Sequence, residues 1–170
     1  MNLLPLFTSD SVEWYTPPNL VGSIAVFLDG IDLDPCAEPA KAVPATTHYV
    51  EDDDGLARDW SGKVFMNPPY GSGIDDWVRH LVNAYRSGQV TQAIALLPAR
   101  TDTAWMGRLR DYPRCFIRGR IRFSGEGSAP FPSVLVYLGG HIAKFAEHFE
   151  AIGDTYISAT RNISTVRISE

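Results

Sequence analysis

Val64-Phe65-Met66-Asn67-Pro68-Pro69-Tyr70-Gly71-Ser72 is a short apolar run that ends on two prolines, a tyrosine and a glycine. Proline has no N–H to give to a ladder, so it is tolerated where a strand stops and not in its middle. The strand therefore covers about residues 63 to 66, and the prolines sit just past its carboxyl end. A residue that precedes proline is biased to extended geometry. Asn67 and Pro68 both precede one, so both are held extended, with their oxygens aimed in fixed directions beside the ring of Tyr70.

Working outward, strands and helices alternate. Thr16-Pro17-Pro18 reads as a hydroxyl cap with proline in the first helical turn, and Leu20, Val21, Ile24, Phe27 and Leu28 follow at helical spacing until Asp29-Gly30. A strand is expected at about 31 to 34. After the strand at 63 to 66 comes a helix at about 74 to 87, on which Trp77 and Tyr85 are read as core. Residues 92 to 98 are continuously apolar, as a buried parallel strand is. A helix at 102 to 110, strands at 114 to 119 and 133 to 138, and an amphipathic helix at 141 to 152 complete the pattern. The tail from Thr155 alternates weakly, either an added strand or a loosely ordered end. Such alternation predicts a doubly wound α/β sheet, whose ligands bind beyond the carboxyl ends of the strands.

The chain has 170 residues, 45% of them hydrophobic, which suits a single domain. No apolar run reaches the roughly 20 residues needed to cross a bilayer, and MNLLPLFTSD lacks the pattern of a secretory signal, so a cytoplasmic location is expected. Cys36 and Cys115 share no metal-ligand spacing with each other or with the four histidines. Reduced thiols and no metal are expected. The net charge is −5, yet Arg100, Arg108, Arg110, Arg114, Arg118, Arg120 and Arg122 face only Asp102 and Asp111 within residues 100 to 122. A local basic face on an acidic protein suits phosphate contact; its bland alternative is a set of solvated arginines.

Two rigid acceptors beside a flat apolar surface fit methyl transfer to an exocyclic amine. The amino nitrogen of adenine is poorly nucleophilic because its lone pair is delocalised. Accepting its two protons on the Asn67 side-chain oxygen and the Pro68 backbone oxygen would sharpen it toward a sulfonium methyl, without a general base. The base must leave the helix stack to reach such a pocket, where Tyr70 would stack on it.

The Asn67-Pro68-Pro69-Tyr70 block resembles the catalytic motif of amino-group methyltransferases that use S-adenosylmethionine. Taken with the blocks around it, over about residues 10 to 138, the chain resembles the phage and prophage Dam-like DNA N6-adenine methyltransferases. Trp14-Tyr15-Thr16-Pro17-Pro18 is similar to the family's segment at the methionine end of the cofactor, Asp34-Pro35-Cys36-Ala37 to its first cofactor motif, and Asp53-Asp54-Gly55-Leu56 with Trp60 to the segment holding the cofactor's adenine. The resemblance continues through Pro98 to Thr103 with Trp105, Arg118 to Phe123, and Ala129 to Ser133. It implies a Rossmann-like, mostly parallel sheet with a β-hairpin at its C-terminal edge, and catalytic roles for Asn67, Pro68, Pro69 and Tyr70. For the cofactor it implies Trp14, Thr16, Pro17, Asp34, Cys36, Ala37, Asp54 and Leu56, and for DNA Arg100, Arg118, Arg120, Arg122 and Phe123.

Each residue also has a reading of its own. Asp34 at a strand end would bind a cationic amine or a ribose hydroxyl, or cap a helix; Trp14 would pack in the core or line a pocket; Asp102 would position substrate or cap the helix after it. Arg118, Arg120 and Arg122 alternate along an expected strand and so share one face. Two departures from the family stand out. No glycine occurs between Ala37 and Gly55, and the 15 residues between Ala37 and Asp53 are too few for the usual helix, strand and helix, so the cofactor half is abbreviated. Glu38, Glu51 and Asp52 are all candidates for the acid on the cofactor ribose. The expected activity is methyl transfer from S-adenosylmethionine to adenine N6 in DNA, in a restriction-modification or other setting, with a protective and a regulatory role both open. The alternatives are cytosine N4, RNA, a protein glutamine, or a silent module that binds DNA or protein. With no separate target-recognition domain, specificity would come from loops such as 122 to 132 or from a second subunit, or be weak.

Overall fold

A computed structural model of the protein describes residues 14–123 and 129–159. Residues 124–128 of the expected recognition loop, the tail beyond 159 and the N-terminal MNLLPLFTSD lie outside the described residues. The elements in chain order are α1 (Pro18–Leu28), β1 (Ile31–Asp34), β2 (Ala45–His48), β3 (Gly62–Met66), α2 (Ile74–Arg86), β4 (Val90–Pro98), α3 (Ala104–Arg108), β5 (Arg114–Ile117), β6 (Ser133–Leu138), α4 (Ile142–Phe149) and β7 (Gly153–Tyr156), with two short 3₁₀ turns at Glu51–Asp53 and Gly55–Ala57.

The strands form one seven-stranded sheet in the order β2-β1-β3-β4-β6-β5-β7. β2, β1, β3 and β4 are parallel neighbours, while β4–β6, β6–β5 and β5–β7 are antiparallel. The sheet is thus mixed, not the mostly parallel, doubly wound sheet expected. Among the described residues no helix lies between β5 and β6, and strands joined without a crossover return antiparallel. The expected hairpin exists as β5–β6 but lies inside the sheet, because β7 adds beyond β5 as the edge. β7 begins at Gly153, where the sequence pattern carried the α4 helix on to 152.

β2 has no counterpart in the sequence reading. It is short, half-exposed to exposed along its length, and follows Pro44, so no apolar alternation betrays it. It reaches its parallel place beside β1 without a helix. Instead Tyr49 N–H donates to Asp34 O at 2.9 Å and Ala37 N–H donates to Tyr49 O at 2.9 Å, stitching the two strand exits together. The sheet order puts β2 on one side of β1 and β3 on the other, so the chain reverses its winding direction between β1 and β3. A crevice at that reversal is where open α/β sheets take ligands.

Helices cover the sheet by their apolar stripes. On α1 the residues at helical spacing, Leu20, Val21, Ile24, Phe27 and Leu28, are the buried ones, and Asp29 ends the helix in the left-handed region at φ 56°. Phe27 meets Tyr137 of β6 edge-on at 5.0 Å and Phe145 and Phe149 of α4 at 5.7 and 5.5 Å between centroids. Behind α2, Ile74, Val78, Leu81, Val82 and Ala84 are buried, and Arg108 of α3 grips Asp75 of α2 with two hydrogen bonds of 2.8 and 3.0 Å. That pair lowers the Asp75 carboxyl, chiefly through the Arg108 hydrogen bond, and removes one arginine from the basic stretch. Residues 93 to 98 of β4 are buried without interruption, as a central strand covered on both faces must be.

Phe27 is 2% exposed and joins three elements, so Phe27→Ala should destabilise the protein by about 3–5 kcal/mol, read as a lower urea midpoint at unchanged slope.

Candidate active site

Asp34 at the end of β1, Glu51 just past β2, Asn67 just past β3 and Arg100 just past β4 lie at one edge of the sheet. β5 runs the same way as β4, so Arg118 to Phe123 leave it at that edge too. A cavity of about 610 Å³ opens there. Trp14, Thr16, Asp34, Cys36, Ala37, Asp54, Asn67, Pro68 and Pro69 of the expected site residues line it, together with Glu38, Glu51, Gly55 and Trp77.

Asn67 explains how the cavity is built. Its amide Nδ2 donates to the Trp14 carbonyl and, at 3.0 Å, to Thr16 Oγ1. The Trp14 carbonyl can only accept, so the amide cannot be turned over, and Oδ1 must face the other way. That oxygen is buried without a partner among the described residues. Thr16 is thereby drawn away from α1: the helix starts at a Pro17 cap with no side-chain hydrogen bond, so the expected hydroxyl cap does not form.

Asp34 is 4% exposed and its Oδ1 accepts from Cys36 N–H at 3.1 Å. Burial pushes its carboxyl up to about 6, partly offset by that hydrogen bond and by His48, while Glu38 adds to the rise. Burial also raises the Cys36 thiol, which excludes a thiolate there. Four acids, Asp34, Glu38, Glu51 and Asp54, line the cavity, and among the described residues no lysine, arginine or histidine does. Asp52 is not among the lining residues, which narrows the ribose candidates to Glu38 and Glu51.

The glycine missing from the first motif is supplied from elsewhere. A Cβ on Gly55 would stand 2.2 Å from Pro35 O and 3.2 Å from the Trp77 ring, so only glycine lets the two loops close. Gly55 O also accepts from Trp60 Nε1 at 2.8 Å, and Trp60 stacks on Trp77 at 5.9 Å. Trp77, read as core, thus presents an aromatic wall to the cavity, whereas Leu56, expected there, does not line it. An apolar helical spacing cannot tell a ring in the core from a ring lining a hole; its nearness to a Trp-Gly contact only the fold reveals.

Tyr70 is not open for stacking. It is buried, its hydroxyl donates to Leu96 O at 3.2 Å, and its ring meets Phe131 at 5.3 Å and Phe123 at 6.4 Å. Trp14 packs on the same two phenylalanines at 5.3 and 5.5 Å. Phe123, expected at the DNA surface, is buried in this cluster. The expected strand at 114 to 119 ends at Ile117, and Gly119 takes φ 76°, so the arginines do not alternate along a strand. In the extended segment after it Ile121 and Phe123 turn inward while Arg120 and Arg122 are exposed. Arg118 is engaged: it donates to Asp154 at 2.6 Å and to the carbonyls of Glu150 and Gly153. Arg114 donates to the carbonyls of Leu109 and Arg110. The side chains of Arg100, Arg120 and Arg122 have no partner among the described residues. Asp102 caps nothing, because Thr103 Oγ1 accepts from Met106 N–H at the start of α3.

The family model described as DNA N-6-adenine-methyltransferase (Dam) matches residues 6–137. The chain belongs to that family. No curated protein matches the chain. Membership supports methylation of adenine N6 in DNA as the chain's activity and DNA as its substrate. Among the described residues no helix is long and apolar enough to cross a membrane, and no group of three or more His, Cys, Asp or Glu side chains could hold a metal ion.

A raised carboxyl binds protons more tightly in the folded state than in the unfolded one, so Asp34 lowers stability as pH rises from about 4 through about 6. Asp34→Asn should therefore stabilise the ligand-free protein by on the order of 2–3 kcal/mol above pH 7, with the gap closing toward pH 4. Unfolding in urea across that range checks it.

Proposed function

We propose that the protein transfers a methyl group from S-adenosylmethionine to the N6 of an adenine turned out of DNA, with the acceptor held at Asn67 and Pro68. The observation that carries this reading is the buried, unpartnered Oδ1 of Asn67, a residue that lines a cavity whose charged side chains, among the described residues, are all acids. An unpaired acceptor suits an amino proton, and an acidic lining suits a ligand bearing a sulfonium and an ammonium group. S-adenosylmethionine would supply an electrophilic methyl.

The chain's own residues do the rest. Asn67 Oδ1 and the Pro68 carbonyl would accept hydrogen bonds from the two amino protons and so hold the lone pair toward the methyl. The two prolines fix both oxygens, so little reorganisation is needed at the moment of reaction. The proton released after transfer passes to water. Asp34 receives the cofactor's ammonium and Glu51, placed beyond β2, its ribose hydroxyls. Trp77 and Gly55 form the slot for its adenine. Tyr70 becomes the stacking platform for the target base once Phe123 and Phe131 give way, which adds a role for Phe123 at the DNA side. Arg100, Arg120 and Arg122 meet phosphates; Arg118 is held by Asp154 and contributes less. Specificity for a site then rests on the loop after Phe123, in a single domain.

Asn67→Ala should cut methyl transfer by at least about a hundredfold while cofactor affinity by calorimetry stays within a few fold. Persistent transfer, read as N6-methyladenine by nucleoside mass spectrometry, would show that the amide oxygen is not the acceptor. For the DNA face, Arg120→Ala with Arg122→Ala should weaken DNA binding and reduce the salt slope by about two, whereas Arg118→Ala leaves the slope nearly unchanged.

A further inference from the structure

Asn67 Oδ1 is accompanied by a second unsatisfied group. The indole Nε1 of Trp14 is buried with no hydrogen-bond partner among the described residues, although Trp14 lines the same cavity. Nearly all buried donors are paired, so an orphan N–H at a ligand cavity marks a place where a ligand supplies the acceptor. The position of Trp14 says which ligand. Its carbonyl holds the Asn67 amide, and its ring packs on Phe123 and Phe131, the two rings that cover Tyr70. Trp14 therefore belongs to the Asn67–Tyr70 end of the cavity, where the proposed function puts the target base.

We infer that Trp14 is a base-reading residue: its indole N–H donates to the ring nitrogen N1 of the target adenine while Asn67 Oδ1 accepts from the neighbouring amino group. This inference rests on the proposed function. An amino donor beside a bare ring nitrogen is the mark of adenine, and of cytosine, against guanine and thymine, whose corresponding nitrogens carry hydrogen. A fixed donor set beside a fixed acceptor matches the first pair and leaves both protein groups unpaired against the second. Exclusion of the wrong base then comes from two stranded buried groups as well as from lost contacts. Because Nδ2 of Asn67 is bound to the Trp14 backbone, the acceptor and the donor are held by one residue and keep a fixed spacing.

The test is single-turnover methylation of an oligonucleotide carrying adenine, 1-deazaadenine or 7-deazaadenine at the target position, by the unaltered protein and by Trp14→Phe, with cofactor affinity measured separately by calorimetry. Phenylalanine keeps a ring against Phe123 and Phe131 and removes the N–H. Trp14→Phe should be about ten- to hundredfold slower on adenine and on 7-deazaadenine, equal to the unaltered protein on 1-deazaadenine, and unchanged in cofactor affinity. Taking the ratio of the two proteins on each base cancels any change that deaza substitution makes in the amino group itself. Equal rates on adenine, the same loss on all three bases, or a loss matched by weaker cofactor binding would each overturn the inference; the last would return Trp14 to the cofactor. If Trp14→Phe does not fold, the unaltered protein decides alone: 1-deazaadenine methylated as fast as adenine overturns it, and a loss confined to 1-deazaadenine supports it. Failure of the unaltered protein on adenine itself would overturn the underlying function, and the inference with it.

Discussion

The hydrogen bonds from the Asn67 amide to Trp14 O and Thr16 Oγ1 are the constraint on which the site depends. They tie the segment before α1 to the loop after β3, 51 and 53 residues away in sequence. Both amide protons are used, so the amide oxygen is turned away from these partners and is left without one among the described residues. The two prolines fix the backbone from the other side, and the loop is held without a single N–H of its own to give at positions 68 and 69. The arrangement has two local costs: α1 goes without a hydroxyl cap, and an acceptor is buried unpaired, at roughly 1–3 kcal/mol.

A second constraint concerns the abbreviated half. A parallel pair usually needs a helix to carry the chain back across the sheet. Here β1 and β2 are joined without one, and the two hydrogen bonds between Tyr49, Asp34 and Ala37 close their exits together. With no glycine after β1 to allow close approach, the rigid Asp34-Pro35 turn is met by Gly55 from the far side, under the Trp60–Trp77 stack. The floor of the cavity is thus assembled from three separate stretches of chain rather than from one glycine-rich loop.

Some of this was legible in the sequence because it is local. The face of α1, the end of β3 at Asn67 and the burial of β4 follow from spacing and from proline chemistry, and they are where the sequence reading and the structure agree in detail. What is not local was hidden. β2 is an edge strand with two exposed threonines and no apolar alternation, so its only reason to exist is the neighbouring β1. The arginines looked alike in sequence, yet Arg108, Arg110, Arg114 and Arg118 are taken up by Asp75, by the Gly107 carbonyl, by the Leu109 and Arg110 carbonyls and by Asp154, leaving Arg100, Arg120 and Arg122 free among the described residues. Trp77 carried the same apolar spacing as its buried neighbours and turned out to line the cavity. The mixed sheet follows from one missing helix between β5 and β6, and an absent crossover leaves no residue pattern to read.

Charge then divides the carboxyl edge into two zones. Among the described residues the charged side chains that line the cavity are all acids, while arginines without a partner stand where the chain leaves β4 and β5. Under the proposed function a phosphate backbone would be drawn to the second zone and repelled from the first, so that DNA would run along the edge and only a neutral base would enter the cavity. Within the cavity the groups least content in the ligand-free protein are the raised Asp34 carboxyl, the Asn67 oxygen and the Trp14 indole N–H. Each would be less costly as an apolar side chain of similar size, and all three belong to residues that line the same cavity. In the proposed function that cost would be recovered as a cation, an amino group and an acceptor bind, and occupation of the site would then stabilise the fold.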